Sequence, residues 1–256
     1  MRGRWTVIPM IAILLWVNNP VPSFSTGEPE PEPEPDKDVL VALDQTRESG
    51  ERIEAIRRLS SFDTGNALGT LTEILLDKSE EEGVRACAAR ALGESKTARA
   101  EVLGALEEVL KEPGAGSNLR CTILLSLGSM KDERALRALT EALDDSDSMI
   151  RFKAVQAMGN LGLVGAISYI GKHLEAEKDK MVRAQAARAL GRYDTDMSQS
   201  CLARLLTSDP DALVRFNAAL SLLKFSSLKP NAQSALNSAA EDDSIMVRDA
   251  LKGVTP

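Results

Sequence analysis

The chain has 256 residues, of which 43% are hydrophobic and 27% charged, and its formal net charge at pH 7 is −7. This composition is typical of a globular protein. A broadly acidic surface repels phosphate backbones, so nucleic acid is not an expected partner. The single histidine, His173, argues against metal sites built from several imidazoles and against a His-dependent catalytic triad.

Residues 1–25 have the layout of a secretory signal peptide. Arg2 and Arg4 precede an apolar stretch that ends at Val17, and prolines and small residues follow it. The stretch is shorter than the about 20 residues that a membrane span needs. We therefore expect cleavage and an extracytoplasmic protein, either periplasmic or secreted. The alternative is an uncleaved segment that anchors the protein to a membrane.

Residues 26–37 are predicted to be a linker, because Glu and Pro alternate from Gly27 to Asp36. Proline fixes φ and lacks a backbone donor, and it pushes the preceding residue into extended conformations. Ten such residues in polyproline II geometry span on the order of 30 Å. The segment therefore predicts a spacer between the signal peptide and the folded body.

From residue 38 to residue 256 the sequence repeats itself. Seven segments align on an arginine, and successive arginines are 31–35 residues apart. A fixed period of this length indicates a repeat architecture. The seven arginines are Arg52, Arg85, Arg120, Arg151, Arg183, Arg215 and Arg248.

Each repeat is predicted to contain two helices, an A helix followed by a B helix. Positions +3, +4 and +7 from the arginine are apolar through the first six repeats, as in Ala88, Ala89 and Leu92, which marks one face of a B helix. A second periodic stretch lies upstream, for example at 68–76 and 101–110, and predicts the A helix. Position +8 is glycine in four repeats, which fits a helix end or a close helix–helix approach. These glycines are Gly93, Gly128, Gly159 and Gly191.

Acidic and hydroxyl side chains precede the B helices and are candidate N-caps. Pro210 is expected in the first turn of its helix, where proline is well tolerated. The candidate caps are Asp145, Asp147, Asp179, Asp209, Asp211, Asp242 and Ser244.

The repeated pattern, V-R-x-x-A-A-x-A-L-G after A-L-x-x-L-x-x-x-L-x-D, resembles the HEAT repeat. Its short period is similar to the HEAT-like repeats of phycobilisome lyase subunits. The resemblance implies an all-α, right-handed solenoid of about seven helix pairs over residues 38–256. It implies an architecture and not an activity, because a fold of this kind serves many functions.

The resemblance also implies a structural role for the seven arginines. In HEAT-like proteins such arginines join acids of the preceding turn in a ladder between neighbouring repeats. A residue that recurs in every repeat suits a framework better than a single site. The suitable acids here are Asp77, Asp144, Asp145, Asp209 and Asp242.

The sequence contains no recognisable catalytic or cofactor-binding motif. Cys87, Cys121 and Cys201 do not form a C-x-x-C pair. They are expected to be small apolar helix residues, although a Cys87–Cys121 disulfide is conceivable in an exported protein. His173 is expected on an exposed or polar edge. We therefore expect no enzyme activity, no metal and no cofactor.

The B helices also carry a mildly basic outer stripe, at positions +2, +5, +6 and +9, where a solenoid commonly binds its ligand. The predicted function is a non-catalytic protein-interaction scaffold with an acidic protein or peptide as partner. The alternative is an accessory or lyase-like subunit that presents a substrate protein to an enzyme. The candidate stripe is Arg57, Arg90, Lys153, Gln156, Arg188 and Arg192.

Overall fold

A computed structural model describes residues 37–61, 64–97 and 99–252. Those ranges contain fourteen α-helices in seven antiparallel A/B pairs and no strand, which confirms the predicted all-α solenoid. The predicted signal peptide and nearly all of the predicted linker lie outside the described residues. In the described residues, no helix is both long and apolar enough to cross a membrane.

The helix bounds, with the A helix of each pair first, are α1 (Lys37–Leu43) and α2 (Ser49–Leu59), α3 (Gly65–Leu76) and α4 (Glu82–Glu94), α5 (Arg99–Leu110) and α6 (Ser117–Ser129), α7 (Ala135–Glu141) and α8 (Ser148–Leu161), α9 (Ala166–His173) and α10 (Lys180–Leu190), α11 (Asp196–Ser208) and α12 (Ala212–Leu222), and α13 (Pro230–Ser238) and α14 (Ile245–Lys252). Short 3-10 turns, Ala142–Asp144 and Ala239–Glu241, follow α7 and α13.

One continuous core of small and branched aliphatic side chains runs through the helix pairs. The residues at +3, +4 and +7, such as Ala154, Val155 and Met158 in α8, are fully buried. One helix pair is too small to bury its apolar face alone, so each repeat covers its neighbour.

The glycines at +8 set the spacing between successive B helices. A Cβ built on Gly128 would lie 2.6 Å from the carbonyl oxygen of Ala157, and one built on Gly159 would lie 3.0 Å from Cβ of Ala189. The facing residue is always the one at +6 in the next repeat, and it is always small. The expected close approach is therefore confirmed. Because this contact recurs along the B helices, successive B helices pack tightly against one another.

Six of the seven arginines form a ladder of ion pairs in the described residues, and the acid that each of the six binds lies in the following repeat and not in the preceding turn. Arg151 donates to both carboxylate oxygens of Glu177, at 2.8 and 2.9 Å. The preceding turn supplies only backbone carbonyls, those of Asp145 and Ser146. The ladder therefore joins each repeat to the one after it. The other pairs are Arg52–Glu80, Arg85–Glu112, Arg120–Asp145, Arg183–Asp209 and Arg215–Asp242.

Two of the five acids expected in the ladder are not in it. Asp77 instead accepts hydrogen bonds from Gln45 and Ser79, and Asp144 is exposed at the end of a 3-10 turn. Sequence spacing alone misses the ladder glutamates because glutamate occupies a turn position that aspartate holds in other repeats. Arg248 bonds only to the carbonyls of Asp242 and Asp243 among the described residues.

Four of the six ladder acids, Asp145, Glu177, Asp209 and Asp242, also fix the turn that starts their own B helix. Glu177 accepts a hydrogen bond from the backbone N–H of Asp179, and Asp179 then caps α10 through Met181 N–H at 2.7 Å. Asp147 and Asp211 cap α8 and α12 in the same way, as expected. Asp145, Asp209 and Asp242 are ladder acids three residues before the first helical residue and not N-caps. Pro210 is likewise in the turn, before Asp211, and not in the first helical turn.

Glu177 shows how strongly the ladder favours the ionised carboxylate. Its side chain is 1% exposed, and burial by itself raises the pKa of a carboxyl group. Hydrogen bonds from Arg151, the Asp179 N–H and His173 outweigh burial and lower the pKa of Glu177 to about 2. Burial of a charge is tolerable here because every carboxylate oxygen has a donor.

Candidate protein-binding surface

The side of the B helices that faces solvent forms one surface, which we call the B face. It consists of positions −2, +1, +2, +5 and +9 from each ladder arginine, which share one side of a helix because they are three, four or seven residues apart. Arg57, Arg90, Arg188 and Arg192 of the predicted stripe are exposed there, and Lys153 and Gln156 are half-buried. Position +6 belongs instead to the glycine contacts between B helices in the third to sixth repeats.

The stripe residues differ in what they contact. Arg57 forms an ion pair with Glu54 on its own helix, and the Lys153 Nζ lies 3.3 Å from Gln156 Oε1. Arg188 donates from Nε to Oδ1 of Asn217 on the next B helix at 2.7 Å. Arg188 therefore also belongs to the framework, since Asn217 is 3% exposed.

A second, apolar row on the B face was not recognised in the sequence. It lies at position −2, where Met149 is 52% exposed and Met181 49% exposed. Phe152 and Phe216, at +1, are partly buried beside it. A comparison of position −2 across the seven repeats is the signal that reveals the row. Its members, from α8 to α14, are Met149, Met181, Leu213 and Met246.

The apolar row is confined to the last four repeats. In the first three repeats, position −2 is Gly50, Gly83 and Asn118. We therefore divide the surface into the N-terminal B face, on α2, α4 and α6, and the C-terminal B face, on α8, α10, α12 and α14.

The C-terminal B face also holds a row of cations without carboxylate partners among the described residues. Lys153 and Arg188 have side-chain hydrogen bonds only to amide groups, and Lys153 Nζ also lies 5.5 Å from the centre of the Phe152 ring. The exposed side chains of Arg192 and Lys224 have no hydrogen bond or ion pair in the described part of the chain. On the A-helix side, by contrast, many cations are paired, for example Arg137 with both Glu107 and Glu141. The local charge of this face is therefore positive, although the chain is acidic.

Family and structural comparisons agree with this geometry. A family model for HEAT repeats matches residues 105–184 and 167–253, which together span more than half of the chain. The chain belongs to the HEAT repeat family. No curated protein matches this HEAT repeat chain.

Solved structures of low sequence identity share the fold. The YibA protein of Escherichia coli is 18% identical, with a TM-score of 0.52, and the match covers 84% of this chain and 90% of that one. The complex of CpcE and CpcF of phycocyanin lyase from Nostoc is 20% identical, with a TM-score of 0.51 and coverage of 93% and 100%. An engineered protein is 21% identical, with a TM-score of 0.51 and coverage of 83% and 66%. At these identities the likeness concerns the HEAT-type fold.

His173 of this HEAT repeat protein is not exposed, so of the two expected placements, an exposed edge or a polar edge, only the polar one fits. Its side chain is 12% exposed, and Nε2 lies 2.7 Å from Oε2 of Glu177 one helical turn later. The interaction places His173 beside the Arg151–Glu177 ladder pair. Its position is explained by the i, i+4 spacing on the end of α9, a signal that the sequence does contain.

The three cysteines are unpaired in the described structure. Cys87 and Cys121 are buried and Cys201 is partly buried, which agrees with their expected role as small apolar residues. Burial raises the pKa of the Cys121 and Cys201 thiols, so both favour the protonated, weakly nucleophilic form. No group of three or more His, Cys, Asp or Glu side chains in the described ranges is arranged to hold a metal ion.

The HEAT repeat array also has a groove of about 690 Å³ on its A-helix side, between α5, α7 and α9. The exposed ring of Tyr169 lies at its edge, and Arg137 crosses it to reach Glu107 at 2.7 Å. Because its central cation is already neutralised by carboxylates, this groove offers less free charge to a ligand than the C-terminal B face does.

Proposed function

We propose that the protein is a non-catalytic interaction scaffold that is exported from the cytoplasm and binds another protein through its B face. The observation that carries the proposal is the row of cations on α8, α10 and α12 that lack carboxylate partners in the described structure. Exposed charges of one sign, presented on a rigid array, attract and orient a partner of opposite charge.

A photoreactive residue tests the binding role directly. It is placed at position 156 on the B face of the full chain, in the cell that makes the protein, and at position 204 on the exposed side of α11 as the control. We expect one partner to crosslink at position 156 and to be absent at position 204. Equal capture at both positions, or none at either, would contradict the proposal.

Export is supported by the basic and apolar segments at the start of the chain. A reporter that is active only outside the cytoplasm, fused to residues 1–40, should be active. Leu14→Asp together with Leu15→Asp should abolish this activity, because charge within such a segment costs about 3 kcal/mol per residue on an insertion scale. A fusion that stays in the cytoplasm would refute export and leave the binding role standing.

A second candidate is an accessory or lyase-like subunit that presents a substrate protein to an enzyme. The fold likeness to the CpcE and CpcF complex motivates it, over 93% of this chain. It predicts that the protein crosslinked at position 156 is chemically modified and that the modification falls when this chain is absent. A simple scaffold predicts an unmodified partner.

A further inference from the structure

We propose that the C-terminal B face binds an acidic amphipathic helix of the partner. The inference rests on the proposed function and names the chemistry that the partner must present. Two rows carry it, an apolar row on α8, α10, α12 and α14 and a cationic row on α8, α10 and α12.

The apolar row provides the anchor. Met149 and Met181 are each about half exposed. Exposure of these apolar side chains to water is unfavourable, so a ligand that covers them gains binding free energy. Methionine is flexible and polarizable, so it adapts to the apolar side chains of a ligand. Leu213 and Met246 extend the row across the next two B helices. A ligand that covers the row therefore needs a continuous apolar stripe.

The cationic row supplies the second requirement. Lys153, Arg188, Arg192 and Lys224 lie at +2, +5 or +9, closer to the C-terminal ends of the B helices than the apolar row is. Positions +2, +5 and +9 lie four, seven and eleven residues beyond position −2, so the cations start about 6, 10 and 16 Å from the apolar row at 1.5 Å per residue. Carboxylates beside the ligand's apolar stripe would neutralise these cations. Leu220, at +5 in α12, is the apolar exception within the row.

The other flank of the apolar row is acidic, which fixes the orientation of the ligand. The caps Asp147, Asp179 and Asp211 stand there, each accepting a hydrogen bond from a helix N–H. A ligand with carboxylates on both sides of its apolar stripe would meet like charge at these caps. The C-terminal B face therefore favours a ligand helix whose carboxylates lie on the side nearer the C-terminal ends of the B helices.

The dimensions fit a helix that lies across the B helices. An α-helix with its side chains is about 10–12 Å wide, so a helix on the apolar row reaches the cations at +2 and +5 directly, and the long side chains of Arg192 and Lys224 have to cover the remaining distance. Packed helices are about 9 Å apart, so the four B helices span about 27 Å, which matches a helix of about 18 residues. An extended segment alternates its side chains between opposite faces, and one such strand cannot present two separate stripes to the same surface.

A synthetic peptide of about 18 residues tests the proposal. It carries leucine at helical i, i+3, i+4 and i+7 spacing with glutamate along one flank, and its binding to the full chain is measured by fluorescence anisotropy. One comparison peptide has the same composition in scrambled order, and another has lysine in place of glutamate. We expect the designed peptide to bind at least about tenfold more tightly than either one, because only it matches both rows.

Paired variants locate the site. Met149→Ser with Met181→Ser should weaken binding about tenfold, and Arg192→Gln with Lys224→Gln should weaken it severalfold, with a larger effect at low salt. The matched controls are Leu40→Ser with Met197→Ser, both equally exposed on A helices, and Lys172→Gln with Arg204→Gln. The controls should bind like the parent chain. Circular dichroism melts confirm that each variant is folded.

Equal binding of the scrambled or lysine peptide would overturn the inference, and so would equal loss in the A-helix controls. No binding of the designed peptide would overturn it as well. In each of these cases, a partner that still crosslinks at position 156 would preserve the proposed scaffold role. Failure of that crosslink would instead reject the scaffold role itself.

Discussion

The N-terminal and C-terminal halves of the solenoid share one framework and differ in the surface that it displays. The ladder arginine and the core positions recur in both halves, but position −2 changes from Gly50 and Gly83 to Met149 and Met181. The ladder geometry changes as well. Arg85 uses Nε to reach the carbonyl of Leu75, whereas Arg151 uses Nε for its carboxylate. The residues on the B face can therefore differ between repeats while the core residues stay the same.

The N-terminal and C-terminal halves should differ most in their stability at acid pH. The carboxyl groups whose pKa is lowered to about 2 are Asp132, Glu177 and Asp242, all in the C-terminal half. Their hydrogen bonds from arginine and backbone N–H groups hold the ionised form in the folded state, while unfolded carboxyl groups titrate near about 4. The resulting stability is complete above about pH 5 and is lost as the pH falls toward about 2.

Hydrogen exchange at pH 3 and pH 7 measures this difference. We expect protection to fall more in α7–α14 than in α2–α6 at the lower pH, after correction for the intrinsic exchange rate. A uniform loss along the chain would show that these carboxylates do not set the acid stability of their own half.

The next largest effect is expected when a single ladder arginine is replaced by alanine. The loss of stability should depend on how deeply the arginine and its carboxylate are buried. Arg151→Ala leaves the nearly inaccessible carboxylate of Glu177 without its main partner, so we expect a loss of about 3 kcal/mol in the free energy of unfolding. Arg120→Ala should cost only about 1 kcal/mol, because Arg120 and Asp145 are both partly exposed. Denaturant unfolding checks both values, and equal costs would show that burial does not decide the strength of the ladder.

The glycine contact between α6 and α8 lies where the two halves meet. Gly128→Ala would place a Cβ 2.6 Å from the backbone oxygen of Ala157, so we expect a loss of about 2 kcal/mol from forced separation of the helices. Gly104→Ala is the control, since a Cβ there meets nothing within 4 Å. It should stabilise the protein by up to about 1 kcal/mol through helix propensity. Thermal unfolding of the two variants should therefore shift in opposite directions.

The framework could be predicted from sequence because it recurs. Periodic arginines, apolar positions and glycines predict seven helix pairs, and an error in one repeat is corrected by the other six. The prediction of which acid binds each ladder arginine is wrong. The acid in the preceding turn is closest in sequence and is therefore expected to be the partner. The arginine's long side chain instead reaches the following repeat, 25–28 residues away.

The binding surface was only partly predictable, because it consists of the positions that do not recur. The sequence analysis identifies the charged residues at +5 and +9. It does not identify the apolar row at −2, because that row exists in only four repeats. The interaction of His173 with Glu177 was also missed, since it depends on how far α9 extends. The sequence contains both patterns, at position −2 and in the i, i+4 spacing of His173 and Glu177, but only the structure shows which of these side chains are exposed and which are in contact.

The central claim is that the ladder holds the fold and the C-terminal B face binds the partner. Arg151→Ala and Arg192→Gln, measured for unfolding and for binding of the acidic peptide, test it most directly. Arg192→Gln should change the free energy of unfolding by less than about 0.5 kcal/mol and weaken the peptide complex. Arg151→Ala should lower stability and, under conditions where it remains folded, bind the peptide normally. A stable Arg151→Ala protein that had lost peptide binding, with Arg192→Gln unaffected, would contradict the account.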